Sequence, residues 1–202
     1  MPLLTPPALP PGTLGHQPQP DINGAGLRLR PWQPTDRPAV LAAYADPAIQ
    51  RWHCRTMNDD EAHTWLTTWT HRWHAETGAG WAITDPTGVL GQINLRRLDL
   101  ADGIAEVSYW VLPAARGHHV ATRALTTLTT WCFTTGLHRL ELNHSTANPA
   151  SCRVAQHAGY PAEGTARREG HHADGWHDTH RHARLRTDPP PTPHRRQYAP
   201  GG

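Results

Sequence analysis

Cysteine is scarce in this chain of 202 residues, and Cys54, Cys132 and Cys152 are odd in number and widely spaced. That excludes a disulfide framework and reads as reduced thiols in a cytosol. Long apolar runs are missing too: no stretch approaches the roughly 20 apolar residues of a membrane span. The N-terminus has neither a basic lead nor an apolar run of roughly 7–15 residues, so it does not read as a signal peptide. An excess of one charge is also missing. The net charge is +2 with histidine neutral, which excludes a strong pull towards nucleic acid. Arg195 and Arg196 form a small basic spot, read as part of a solvated tail. Lysine is absent altogether, and no repeat period is visible. What remains is a soluble, cytoplasmic protein with no expected nucleic-acid or membrane partner.

Proline (20), histidine (16) and tryptophan (9) are plentiful. Proline and glycine crowd the two ends. Residues 1–26 and 188–202 show no apolar periodicity, so both are expected to be disordered tails that cannot offset their ordering entropy. Residues 27–187 then form one domain of about 160 residues. Along it, Leu27–Arg30 alternates like a strand. Thr35 and Asp36 offer a cap for a helix over Arg37–Tyr44, and Asp46-Pro47 opens a short second turn over Ala48–Trp52. The acidic run from Asn58 to Glu61 starts a helix that reaches His74. Strands follow at Gly80–Thr84, Val89–Leu95 and Ala105–Leu112, with turns at Asp85–Gly88 and Ala101–Gly103. A helix over Thr122–Thr135 stops at Gly136. Then come a strand at Arg139–Ser145, a helix from Pro149 to Ala158, and a final hairpin, Tyr160–Glu169 with Trp176–Leu185. The order predicts an α+β domain with a mixed, mainly antiparallel sheet of about seven strands and about four helices. Trp52, Trp65, Trp69 and Trp73 fall near helical spacing, and core packing is the favoured reading for them over the lining of a cleft.

The segment from Pro113 to Leu125 carries the chemistry. It joins a strand to a helix through a short loop with Gly117 and Arg116. The first backbone N–H groups of a helix lack internal partners, and the helix dipole adds positive potential there. A pyrophosphate fits such a place.

The element order and four motifs resemble the GNAT superfamily of acyl-CoA N-acyltransferases, and more narrowly its RimJ/RimL-like branch. The motifs are Asp46-Pro-Ala-Ile-Gln-Arg-Trp52, Glu106-Val-Ser-Tyr-Trp110, the loop Arg116-Gly-His-His-Val-Ala121, and Asn148-Pro-Ala-Ser151 followed by Ala158-Gly-Tyr160. The resemblance spans Leu27 to Leu185. It implies acetyl-CoA as donor, no metal cofactor, and transfer of the acetyl group to a primary amine by direct attack on the thioester. The implied donor site lies between strands Ile104–Leu112 and Arg139–Ser145. The pantetheine arm would meet Val111, Leu112, Pro113 and Asn148. The pyrophosphate would meet Arg116, Gly117, His118, His119, Val120, Ala121 and Thr122. His119 stands where the family usually has glycine, which lets a backbone approach phosphate closely, so weakened donor binding is expected.

An attacking amine must be neutral, while α-amines have a pKa near 8. A base must take its proton and an acid must meet the leaving thiolate. The resemblance points to Glu106 as base through a water, with Glu141 as a weaker candidate. The tyrosine that many superfamily members use as acid is Ala155 here, and the branch places Ser151 in that role. The bland readings are an orienting Glu106, a helix-capping Ser151 and a packed Tyr160. The acceptor implied by the branch is a protein N-terminal α-amine. The alternatives are a small amine such as an antibiotic or amino-acid derivative, a non-catalytic acyl-CoA-binding module, and a partner-binding protein that uses the Pro-rich ends. The histidines His171, His172, His177, His180 and His182 show no zinc-finger spacing and are expected on the surface of the last hairpin. Oligomeric state is open, a dimer through a sheet edge included.

Overall fold

A computed structural model describes residues 4–191. The chain opens with β1 (Ile22–Gly24) and β2 (Leu27–Pro31), followed by three helices, α1 (Arg37–Ala45), α2 (Pro47–His53) and α3 (Asp59–His74). An antiparallel run comes next, β3 (Ala79–Asp85), β4 (Gly88–Asp99) and β5 (Ile104–Val111). The second half holds α4 (Val120–Thr135), β6 (Arg139–Ser145), α5 (Pro149–His157), β7 (Ala162–His172) and β8 (Gly175–Leu185). The strands form one sheet in the order β1-β2-β3-β4-β5-β6-β8-β7. Among its adjacent pairs only β5 and β6 run parallel. This is the expected α+β architecture, with one more strand and one more helix. The extra strand, β1, has three residues inside a Pro/Gly-rich stretch, too few to show alternation.

Local chemistry explains the helix starts. Asp46 accepts the Ile49 N–H at 3.0 Å and caps α2. Asn58 and Glu61 bond each other's backbone N–H at the start of α3, a capping box. The cap expected at Asp36 differs: its carboxylate turns back to clamp Arg30, two bonds of 2.7 Å each, and a 3-10 turn precedes α1. Trp69 and Trp73 are buried, and Trp65 packs with Tyr44 and Trp32. Trp69 lies so close to β3 that a Cβ on Gly80 would stand 2.3 Å from its ring.

Residues 4–26 do not form the expected tail. Ala8 and Leu9 donate to the carbonyls of Ala101 and Leu100, and Leu9 and Leu14 are buried in the core. The Glu76 carboxylate accepts the N–H groups of Gly12, Leu14 and Gly15 at 2.7–2.9 Å. The indoles of Trp73 and Trp81 donate to the carbonyls of Gln17 and Pro20. The segment has no core of its own. It is ordered because α3, β3 and β4 supply the partners that its own backbone cannot. Of the C-terminal stretch expected to be disordered, 192–202 lies outside the described residues, Arg195 and Arg196 with it.

The apolar interior has two parts. The larger packs α4 residues Leu125, Leu128 and Cys132 with Trp81, Ile83, Ile93 and Leu95 of the sheet. The smaller joins α1, α2 and α3 to Trp110. Alternation along β5 therefore sends Glu106 and Trp110 to one face of the sheet and Val107, Tyr109 and Val111 to the other. No helix among the described residues is long and apolar enough to cross a membrane.

Candidate active site

The pairing of β5 with β6 stops early. Ile104 to Val107 face Arg139 to Leu142, and beyond that the two strands part. The gap is the floor of a cleft of about 1230 Å³ that runs from the α4 N-terminus to β8. On its far side, the Leu112 N–H donates to the Leu90 carbonyl on β4. Strand alternation then turns the backbone of Tyr109 and Val111 towards the gap. Both carbonyls carry side-chain donors: His53 Nε2 lies 3.2 Å from the Tyr109 oxygen, and Arg116 Nε lies 3.2 Å from the Val111 oxygen. Burial pushes the His53 pKa down, which keeps its ring neutral.

At one end of the gap the chain makes the turn into α4. Gly117 (φ 81°) and His119 (φ 55°) are both left-handed. The helix begins at Val120, two residues before the expected Thr122, and no side chain among the described residues caps it. Arg123 is the first residue to donate back, to the His119 carbonyl. The N–H groups before it are left for a ligand. His118 and His119 are exposed. Arg116 binds Asp46 Oδ1 at 2.6 Å and so ties this loop to the start of α2.

Glu106 is 3% exposed and held from three sides. A β-bulge explains how. Leu95 pairs with Val107 and Arg97 pairs with Glu106, so Arg96 is the extra residue. The bulge lets two consecutive arginines reach one carboxylate. Arg96 Nη2 stands 2.6 Å from Oε1, Arg97 Nε 3.2 Å from Oε2, and Asn143 Nδ2 donates to Oε1 at 3.2 Å. Glu141 lies next to it across the parallel register and is paired with Arg139 at 2.8 Å.

Ser151 sits in the first turn of α5. Its N–H donates to Asn148 Oδ1 at 3.1 Å, so Asn148 is the cap. The Asn148 amide nitrogen is then the part of that side chain left for a ligand. The Ser151 hydroxyl accepts the Tyr109 O–H at 3.1 Å. Sequence reasoning missed Tyr109. It searched for a phenol on α5, where Ala155 is buried, while the phenol comes from β5, 42 residues upstream. The signal was its parity with Val107 on an alternating strand. Burial pushes the Tyr109 pKa up to about 12, so it stays a proton donor at neutral pH. Tyr160 is fully buried with its hydroxyl 2.6 Å from Thr129 Oγ1, the packing role expected for it.

The hairpin histidines divide. His171 stacks on Trp176, and His172 stacks on His177 beside Trp52, which lines the cleft. His182 is 1% exposed and His180 is half-buried. The surface placement expected for these two does not hold, because α5 covers that part of β8.

A sheet split between two parallel strands, an uncapped helix N-terminus at one end and a hydroxyl pair at the other define an acyl-CoA N-acyltransferase. A sequence profile of the acetyltransferase (GNAT) domain matches residues 26–161, and the chain belongs to that family. It is 26% identical over 156 residues to YdaF of Bacillus subtilis (strain 168), a candidate ribosomal N-acetyltransferase, covering 75% of this chain and 85% of that protein. RimL, the ribosomal L7/L12 α-N-protein acetyltransferase solved with coenzyme A, superposes with a TM-score of 0.76 at 19% identity, over 82% of this chain and 98% of its own. Mycobacterium smegmatis RimJ, in complex with a CoA disulfide, gives 0.72 at 23% identity, over 82% and 86%. The microcin C7 self-immunity acetyltransferase MccE, with acetyl-CoA and AMP, gives 0.73 at 16% identity, over 80% and 93%. These structural likenesses establish the fold.

Proposed function

We propose that this chain transfers the acetyl group of acetyl-CoA to a primary amine, with a protein N-terminal α-amine as the leading acceptor class. The observation that carries the reading is the open seam between β5 and β6. Its exposed strand edge suits the amides of a pantetheine arm, and its α4 end suits a pyrophosphate. The ribosomal relatives support the choice of acceptor.

The thioester lies in the seam, so groups from both faces of the sheet reach it. On one face Glu106 takes the amine's proton through a water. Three N–H donors already hold its carboxylate, which has about four acceptor sites. They fix its position and leave a site for that water. The neutral amine attacks the thioester carbonyl and the carbon–sulfur bond breaks. On the other face Ser151 donates its hydroxyl proton towards the departing thiolate. Tyr109 donates to the same oxygen, which polarises the serine O–H. Positioning of the two substrates supplies much of the remaining acceleration.

Acetyl-CoA turnover against N-terminal peptides of ribosomal proteins, aminoglycosides, polyamines and amino acids tests the acceptor. Thiol release and product mass are the readouts. One acetyl gained on a peptide α-amine is the expected result. The same gain confined to a small amine overturns the acceptor assignment, and silence throughout overturns catalysis with this donor. Glu106→Gln, Ser151→Ala and Tyr109→Phe are each expected to lower kcat by about 10- to 10⁴-fold. The Ser151 and Tyr109 effects are not additive if the pair acts as one donor. A variant with the wild-type rate removes its residue from the mechanism.

A further inference from the structure

We propose that His144, Cys152, His180 and His182 form a tetrahedral site for a zinc-type divalent cation, built between α5 and the β6–β8 pair. In the sheet His144 stands opposite His180, and Leu142 opposite His182. Residues two apart on a strand share a face, so the three imidazoles crowd together under α5. Their ring centroids lie 5.2–6.0 Å apart. Cys152 comes down from α5, with its sulfur 3.9 Å from His182 Nε2. One donor atom from each of the four residues lies within 4.8 Å of every other. A tetrahedral ion with Zn–N and Zn–S bonds of about 2.0–2.3 Å needs donor separations of about 3.3–3.8 Å. Side-chain rotation of the half-buried Cys152 and His180 closes that gap.

Two independent features mark these groups as ligands. The first is the outer ring of hydrogen bonds. His182 Nδ1 lies 2.9 Å from the Tyr160 carbonyl, and His144 Nδ1 lies 2.8 Å from the Ser145 carbonyl. Each ring donates its Nδ1 proton outward and turns a bare Nε2 inward, the usual setting of a metal-bound imidazole. The second is unmet demand. Among the described residues, His144 Nε2 and His180 Nδ1 are buried without a hydrogen-bond partner, and His144 as a whole is 8% exposed. Buried polar atoms are rarely left so. On binding, Cys152 gives up its thiol proton to solvent and its thiolate takes the metal. With four protein ligands the site is closed, hence structural. The ion would pin α5, which carries Ser151 beside Cys152, to the strands beneath it.

Co²⁺ titration of the untagged full chain, followed by Zn²⁺ competition, tests this. A single Co²⁺ with tetrahedral d–d bands and a thiolate charge-transfer band, displaced by Zn²⁺, is expected. Cys152→Ser removes the charge-transfer band, and His182→Ala weakens Co²⁺ binding about 10-fold or more. Cys54→Ser changes neither. A wild-type chain without the tetrahedral spectrum overturns the proposal. So does a charge-transfer band that survives Cys152→Ser, or one that Cys54→Ser abolishes, which would place the ion at the exposed Cys54–His172 contact. The wild-type and Cys54→Ser spectra carry the test even if the His182 variant does not fold.

Discussion

His119 occupies the left-handed region at φ 55° in the turn that precedes α4. Glycine reaches this conformation freely, whereas a side chain adds about 1–2 kcal/mol of crowding. Histidine tolerates it better than most residues, which explains how the loop keeps its shape without the family's glycine. On the function proposed above, its Cβ stands where a phosphate would approach. His119→Gly is expected to lower the acetyl-CoA Kd roughly threefold, about 0.7 kcal/mol, by calorimetry. An unchanged or raised Kd would show that the imidazole itself serves the phosphate. Motif spacing singles out Glu106, Ser151 and Asn148 in the sequence, and the fold brings all three to one cleft. Tyr109 was not legible as a partner of Ser151, since nothing in the sequence tells which way β5 leans towards α5. Nor was the arginine pair on Glu106, because a bulge is a matter of register and leaves no mark in composition.

At the scale of elements, Asp46 joins two of them. It caps α2 and holds Arg116 of the loop before α4, and that arginine's hydrogen bond is the main reason its carboxyl titrates below the usual range. On the function proposed above, an incoming pyrophosphate would compete with Asp46 for the same guanidinium. Asp46→Asn keeps an oxygen for the Ile49 N–H but removes the charge. Because the Arg116 side chain is 40% exposed, the stability loss should stay below about 1 kcal/mol. Donor affinity is expected to rise roughly 3- to 10-fold, with a steeper salt dependence, in calorimetry at two ionic strengths. An unchanged Kd would mean that Arg116 shapes the loop and leaves the phosphate alone. Most helices and strands were legible within a few residues, because caps such as Asn58 with Glu61 and stops such as Gly136 and Gly159 are local signals. Elements held by distant partners were not. β1 exists because β2 and α4 receive it, and His182 of β8 is buried because α5 lies over it.

For the molecule as a whole, the segment over residues 4–21 closes the fold, and Glu76 is its clasp. Burial alone would raise the Glu76 pKa, but the N–H groups of Gly12, Gly15 and Leu14 together carry it below the ordinary carboxylate value. A carboxyl lowered by folding stabilises fully above its unfolded pKa, about 4.3. That contribution is lost as pH falls through the lower folded value. Hydrogen exchange at residues 12–15 is therefore expected to stay slow from neutral pH to about pH 5 and to quicken, relative to β3, below about pH 4. Glu76→Gln, which turns the acceptor for Gly12 into a donor, should loosen the segment at neutral pH and cost about 1–3 kcal/mol in denaturant unfolding. Exchange indifferent to both changes would show that Leu9, Leu14 and the bonds from Trp73 and Trp81 hold the segment without the carboxylate. Composition pointed to disorder here, since it reports what a segment buries for itself and not what its neighbours lend it. The clasp also sets an order of events during synthesis. Leu9 leaves the ribosome long before Leu100, whose carbonyl it needs, and at about 5–20 residues per second the wait is roughly 5–20 s. Through that interval Ala8 and Leu9 lack their acceptors, so the segment settles fully only once β4 and the turn after it have been made, while β6, β7 and β8 are still to come.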